Sequence, residues 1–221
     1  MEIIKAEQVY YSYQTKYQTI EAVCGISYVF ETGKMYAIVG ESGSGKSTFL
    51  SLLAGLDLPT KGRIYVEGED IATLNRDVYR KEKASVVYQS FNLFQLLTAR
   101  ENIMFPMELK GVKRKVALKN AIELMEQVGL RKQVANQFPQ MMSGGEQQRV
   151  AIARALACGG KIILADEPTG NLDSENEKNI VRLLKAAAHN MDYAVIVITH
   201  NSEVASVADH ILRMRDGKLI D

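Results

Sequence analysis

Met35-Tyr36-Ala37-Ile38-Val39-Gly40-Glu41-Ser42-Gly43-Ser44-Gly45-Lys46-Ser47-Thr48 is the stretch on which the fold of this chain turns. Met35–Val39 is a short, uninterrupted apolar run, as in a strand covered on both faces. Residues 40–47 fit G-x-x-x-x-G-K-[ST], and Lys46 to Leu56 has the apolar spacing of a helix, with Gly55 near its end. Strand, glycine-rich turn and helix in that order form the context in which this pattern cradles phosphate. The glycines let backbone N–H groups curl around phosphate oxygens, and the helix N-terminus adds positive potential. Lys46 is expected to reach the β- and γ-phosphates, and the Ser47 hydroxyl to hold Mg²⁺. The stretch therefore predicts a bound nucleoside triphosphate.

Further strands are expected at Glu2–Tyr13, Arg63–Val66, Ala84–Tyr88, Ile162–Ala165 and Ala194–Thr199. A helix is expected over Ser174–Ala188, with Ile180, Leu183 and Leu184 on one face. Alternation of strand and helix makes a doubly wound α/β core the default. Residues 90–142 lack any strand-like run, and Val112–Val128 is amphipathic at helical spacing with Gly129 just beyond. Core-type strands lie on both sides, so this segment reads as an inserted helical lobe. The expected domain is single: 1–89 and about 143–221 form the nucleotide-binding core, and about 90–142 the lobe.

Composition narrows the function. The chain has 221 residues with 27 Lys+Arg against 26 Asp+Glu, a net charge of +1 that argues against a nucleic-acid surface. Two cysteines make no disulfide framework, and 47% apolar content without an 18-residue apolar run makes no membrane span. The start, MEIIKAEQVYYSYQ, lacks a basic segment followed by an apolar one, so a soluble cytoplasmic protein is expected.

Two further segments carry chemistry. Ile162-Ile163-Leu164-Ala165-Asp166-Glu167 is an apolar strand ending in two carboxylates, at the end of a core strand where open α/β sheets bind ligands. Asp166 is expected to meet Mg²⁺, and Glu167 to orient or deprotonate an attacking water. Ser143-Gly144-Gly145-Glu146-Gln147 opens a helix over Glu146–Ala157, with Ser143 and Glu146 spaced as a capping box. Capping leaves the paired glycines unexplained; glycines before a helix N-terminus expose donors to an anion. One nucleotide and two anion sites suggest that the second serves a neighbouring chain.

Together these motifs resemble, over nearly the whole length, the ATP-binding subunit of an ABC transporter. The resemblance implies a P-loop core with a mixed, mainly parallel sheet, an N-terminal antiparallel β subdomain and the inserted α-helical subdomain. It implies ATP and Mg²⁺ as cofactors, with Gly40–Ser47 as the P-loop and Thr48 beside it among the nucleotide-binding residues. Ser143–Gln147 matches the family signature and Asn171-Leu172-Asp173 the D-loop. Two copies are implied to pair head to tail, each ATP lying between one P-loop and the other chain's signature. Tyr13 matches the aromatic residue stacked on adenine, with Tyr10 and Tyr11 as rivals. Gln89 matches the Q-loop glutamine near Mg²⁺ at the hinge of the lobe, and His200 the switch histidine at the γ-phosphate. The signature reads Glu146 where glutamine is commonest, which adds a negative charge near the phosphate. Phe91-Asn92-Leu93-Phe94-Gln95-Leu96-Leu97-Thr98 is apolar for a segment following a loop glutamine. It is expected in part to line a groove for a permease's cytoplasmic helix, which would hold the chain at the inner face of the membrane.

The wording of these motifs resembles the branch serving macrolide export, lipoprotein release and antimicrobial-peptide resistance. A polar amino-acid importer cassette ranks second and a cell-division cassette third. Soluble ABC ATPases of DNA ends or ribosomes fit less well, because the chain has one P-loop, no sustained heptads and neutral charge. A small-molecule P-loop kinase has no need of the signature, Gln89 and His200 together.

Overall fold

The computed structural model describes residues 1–220. Six strands form the central sheet: β3 (Lys34–Val39), β6 (Ala84–Tyr88), β7 (Ile162–Asp166), β8 (Ala194–Ile198), β9 (His210–Arg215) and β10 (Lys218–Ile220). Their order is β10-β9-β3-β8-β7-β6, and only the β9–β10 pair is antiparallel. The apolar runs of β7 and β8 are continuous because both faces are covered. Ile163, Ala165, Val195 and Val197 pack into one core, and Ile162, Leu164, Ile196 and Ile198 into the other.

A second sheet, all antiparallel, covers one face. It comprises β1 (Glu2–Gln14), β2 (Thr19–Glu31), β4 (Lys61–Val66) and β5 (Glu69–Asp70), in the order β2-β1-β4-β5. Between the sheets lies α1 (Lys46–Leu53), whose Phe49, Leu52 and Leu53 share a core with Ile4, Val9 and Phe30. The other face carries α5 (Gly144–Ala157) and α6 (Ser174–Met191), with α7 (Ser202–Ser206) leading into β9. A short α2 (Arg76–Glu82) precedes β6.

The lobe consists of α3 (Ala99–Leu109), α4 (Arg114–Gln127) and two 3₁₀ turns, Lys132–Asn136 and Pro139–Met141. Its core of Ile103, Met104, Met107, Ala117, Ala121 and Met125 is continuous with Val150 and Ile152 of α5. The lobe is therefore packed onto the signature helix, not suspended from it.

Several boundaries differ from the sequence reading. Helix α1 ends at Leu53 instead of Leu56, and α6 runs on to Met191 instead of stopping at Ala188. Strands β2, β9 and β10 and helices α2, α3 and α7 had no counterpart in that reading. The strongly parallel sheet expected of a doubly wound core is joined by the antiparallel layer that the family resemblance implied. Among the described residues no helix is long and apolar enough to cross a membrane.

Candidate nucleotide site

The P-loop leaves the carboxyl end of β3, which lies between β8 and β9. A crevice forms there because the connections from neighbouring strands depart in opposite directions. Gly45, the residue before α1, has φ 97, and a Cβ on it would lie 2.0 Å from the Ala22 carbonyl oxygen. A side chain at this position therefore conflicts with both its own backbone and β2. Lys46 is buried, and its Nζ donates to the carbonyl oxygens of Gly40 (2.8 Å) and Glu41 (2.7 Å). The ammonium is thus folded over the loop that it would exchange for phosphate oxygens.

One cavity of about 560 Å³ opens over this loop. Gly40, Ser42, Gly43, Gly45, Lys46, Ser47 and Thr48 line its floor, and Tyr13, Gln89, Glu167 and His200 stand around it. The Tyr13 hydroxyl lies 3.1 Å from Thr48 Oγ1, which fixes the ring at the mouth. Tyr11 packs edge-on to Tyr13 at 5.0 Å and belongs to the core beneath. Tyr10 meets Gly25 instead. Of the three tyrosines, Tyr13 alone lines the cavity. Two expected residues of the loop, Glu41 and Ser44, do not line the cavity. The Glu41 carbonyl accepts from Lys46 and, at 3.2 Å, from Ser44 N, while Ser44 is buried behind the loop.

Ser47 Oγ donates to Asp166 Oδ1 at 3.3 Å. Burial pushes the Asp166 carboxyl above its ordinary range, the Ser47 hydrogen bond opposes this, and the neighbouring Glu167 charge adds to it. A hydroxyl and a partly buried carboxylate side by side are hard oxygen donors that suit Mg²⁺ shared with phosphates. Gln89 brings an amide to the same cavity, so Ser47, Asp166 and Gln89 fit the metal expected of them.

Glu167 has φ 48, and its N–H donates to the Ile198 carbonyl at 3.0 Å, tying it to the end of β8. This unusual backbone aims the carboxylate into the cavity, where Glu167 Oε1 lies 2.9 Å from His200 Nδ1. The carboxylate and the histidine at the tips of adjacent strands are thus already in contact.

The signature stands elsewhere. None of Ser143, Gly144, Gly145, Glu146 and Gln147 lines the cavity, and neither do Asn171, Leu172 and Asp173. Ser143 caps α5: its Oγ accepts from Glu146 N at 3.3 Å, and Glu146 Oε2 accepts from Ser143 N at 3.0 Å. Gln147 Nε2 donates to the Met142 carbonyl at 3.2 Å. Gly145 has a reason that the sequence reading did not supply: a Cβ there would lie 2.2 Å from Asn176 Oδ1 at the start of α6. The absent side chain lets the two helix N-termini meet. Asp173 caps α6, accepting from Asn176 N at 2.9 Å, while Leu172 packs on the lobe-side core. Asn171 exchanges two hydrogen bonds with Gln89, Nε2 to Oδ1 at 3.1 Å and Nδ2 to the Gln89 carbonyl at 3.2 Å. The segments carrying Asn171 and Gln89 are therefore tied to each other directly.

Two residues of this machinery escape the motifs. Gln148 is fully buried, and its Nε2 donates to the carbonyls of Pro168 (2.7 Å) and, at longer reach, Tyr88 (3.4 Å). It connects the signature helix to the residues just after Glu167 and just before Gln89. Arg154 donates to the carbonyls of Asn92 (2.7 Å) and Phe91 (3.1 Å), both residues with positive φ. The available signal was polarity on the buried face of a helix.

A glycine-rich loop between strand and helix, a hydroxyl–carboxylate pair and a second carboxylate at the end of parallel strands are the features of a P-loop nucleoside triphosphatase. The family model described as ABC transporter matches residues 23–170. The chain belongs to the ABC transporter family, and its activity is hydrolysis of ATP. An uncharacterised ABC transporter ATP-binding protein of Bacillus subtilis, YclH, is 41% identical over 98% of this chain and 95% of its own length. The macrolide export ATP-binding/permease protein MacB of Brucella melitensis is 41% identical over 99% of this chain, and MacB of Escherichia coli K12 is 39% identical over 99%. This chain spans only 34% of either MacB. The dimeric bacterial ABC transporter cassette MJ0796 superposes with a TM-score of 0.91 at 38% identity, covering 99% of this chain and 97% of that one. Its dimeric post-hydrolysis form with ADP and Pi gives 0.89 at 37% identity, with the same coverage.

Proposed function

We propose that this chain is the motor of a transporter in the branch of macrolide export, lipoprotein release and antimicrobial-peptide resistance. Two copies close head to tail around two ATP molecules and drive a separate permease. The observation that carries this reading is the division of the site. The P-loop, Glu167 and His200 share one cavity, and the N-terminus of α5 with its paired glycines, which we read as the donor set for a partner's phosphate, lies outside it. The likeness to MacB, named as a macrolide export ATP-binding/permease protein, and to a dimeric cassette supports the branch and the pairing.

The chemistry follows from the contacts. ATP entering the cavity draws Lys46 from the Gly40 and Glu41 carbonyls onto phosphate oxygens and sets adenine against Tyr13. Mg²⁺, when bound by Ser47, Asp166 and Gln89, supplies neutralisation of the phosphate charge. Ser143 Oγ and the Gly144 and Gly145 N–H groups of the partner copy complete the γ-phosphate's donors. His200 turns from Glu167 to the γ-phosphate, and the freed Glu167 carboxylate takes a proton from the water that attacks phosphorus. ADP and phosphate leave, the partner's signature loses its anion, and the dimer reopens. Closure is a population shift that ATP produces only because it binds the closed state better.

The stroke reaches the membrane through an apolar groove of about 360 Å³ beside the Q-loop. Phe94 and Phe105 pack there with ring centroids 4.5 Å apart and planes inclined at 49°, and Leu56 and Leu109 add exposed apolar surface. Of the segment expected to face a partner, Leu93 is buried in the lobe core, whereas Phe94 and Leu96 are exposed. Buried Asn102 pins the segment, accepting from Phe94 N at 2.8 Å and donating to the carbonyls of Phe94, Leu97 and Thr98. A permease helix seated on Phe94 and Phe105 feels both Gln89 and, through Arg154, the signature helix. The protein accordingly works at the cytoplasmic face of the membrane.

The test is purification of the tagged chain from its native membranes in mild detergent, with identification of what accompanies it. A permease with few transmembrane helices and a large external domain is expected. A many-helix permease with a solute-binding protein makes the chain an importer motor. Soluble nucleic-acid or ribosomal partners overturn the transport reading.

A further inference from the structure

The glutamate at position 146 raises a difficulty that rests on the head-to-tail reading. A triphosphate must approach the N-terminus of α5, where a carboxylate stands in the first turn. Unpaired, that charge repels the ligand which the helix N-terminus attracts. Glu146 Oε2 is held by Ser143, through N–H and Oγ, each at 3.0 Å. Its second oxygen, Oε1, accepts from Arg131 Nη2 at 3.0 Å. Arg131 arrives from the lobe, at the start of the first 3₁₀ turn after α4. Its side chain is 76% exposed, whereas that of Glu146 is 12% exposed.

Arg149, the other guanidinium near the carboxylate, is turned away: its Nη1 donates to Asn176 Oδ1 at 3.1 Å. Lys132, next in sequence to Arg131, is directed at Glu126 at 4.0 Å. Arg131 is thus the cation in contact with Glu146. We infer that Arg131 is a positioning residue for the signature, one that neutralises Glu146 and thereby lets Ser143 and the glycine N–H groups receive the partner's γ-phosphate. A glutamine at 146 would carry no charge and would need no such cation. The Arg131–Glu146 pair also ties the lobe to the anion site by a charge contact, so that lobe orientation and signature readiness are set together.

The test is a double-mutant cycle on ATP-dependent dimerisation. All proteins carry Glu167→Gln, to hold ATP, and dimer formation is followed by light scattering against ATP concentration at two salt concentrations. Arg131→Met is expected to raise the ATP required for half-dimerisation about tenfold, as for loss of one partner of a charge pair that is desolvated on closure. Arg131→Lys is expected to recover most of the loss. When Glu146→Gln is also present, Arg131→Met is expected to have no effect, and the salt dependence of the cycle is expected to vanish with the charge. Thermal unfolding of the ATP-free proteins separates this from misfolding, since an exposed arginine at a 3₁₀ turn contributes little to stability. An equal effect of Arg131→Met with Glu146 present or replaced, or no effect in either, overturns the inference while the dimer stands. Absence of any ATP-dependent dimer with Arg131 and Glu146 intact removes the head-to-tail reading and this inference with it.

Discussion

Glu167 sits in a left-handed backbone conformation immediately after β7, hydrogen-bonded through its N–H to the end of β8. Such a conformation costs a non-glycine residue on the order of 1–3 kcal/mol and persists only where its surroundings impose it. Here the result is a carboxylate aimed at the cavity and in contact with His200 at 2.9 Å. Glu167→Gln keeps the shape and removes the proton acceptor. Hydrolysis measured by phosphate release is expected to fall roughly 10²–10⁴-fold while ATP still binds; turnover near that of the parent protein removes Glu167 from the chemistry. Asp166 makes the opposite trade. Its carboxyl is pushed up by burial, so the folded chain holds the proton more tightly than the unfolded chain does. Stability from that preference is present at low pH and lost as pH rises through the folded-state value. Asp166→Asn is therefore expected to raise the melting temperature of the ATP-free protein at neutral pH by about 1–3 °C, the gain being limited by solvent on one side of the carboxyl. The difference should shrink as pH falls through the carboxylate range. The same substitution is expected to weaken Mg²⁺-dependent hydrolysis, so stability and activity move in opposite directions. A lower melting temperature contradicts the assignment of Asp166 as a desolvated metal ligand.

Elements meet here through contacts too close for side chains. The N-termini of α5 and α6 approach so nearly that a Cβ at Gly145 would lie 2.2 Å from Asn176 Oδ1. Gly145→Ala is expected to cost about 1–3 kcal/mol in a denaturant titration. It should also disturb Asp173, which holds both Asn176 N and Nδ2, at 2.9 and 2.7 Å. Unchanged stability places Asn176 in a looser environment than the structure describes. This contact shows where the sequence was readable and where it was not. β3, β7 and β8 were legible as bare apolar runs, and α5 by its capping box. β2 was not, because Gly25 interrupts its alternation at mid-strand, and register shifts against β1 break the period further. β9 and β10 are short, adjoin the Asp216-Gly217 turn and alternate only in part, so neither stands out as a strand in the sequence. Pro106 inside α3 obscured that helix. Asn102, Gln148 and Arg154 were invisible as functional residues because each bonds to backbone carbonyls, and a carbonyl carries no side-chain signature. Tyr13, Gln89 and His200 were reached only through resemblance, and the fold then brings all three to one cavity.

At the scale of the whole molecule, the proposed function rests on two surfaces: the P-loop with the α5 N-terminus of a partner copy, and the groove lined by Phe94, Phe105 and Leu109. The groove contains aromatic and aliphatic surface with Lys81, Arg80 and Arg154 among its lining residues and no carboxylate. Phe105→Glu and Leu109→Glu place a charge on apolar contacts that are already exposed. They are expected to abolish co-purification of the permease while changing stability by less than about 1 kcal/mol; retained capture moves the permease to another face. The central claim concerns the first face, that each ATP is shared between two copies. The most direct measurement is hydrolysis by a mixture of two inactive variants, Lys46→Ala and Ser143→Arg. In a head-to-tail dimer the mixed pair has one site with an intact P-loop facing an intact signature. The equimolar mixture is therefore expected to recover about one quarter of the parent rate by symmetry. A mixture no more active than either variant alone would contradict the account, because each chain would then be using its own signature or none.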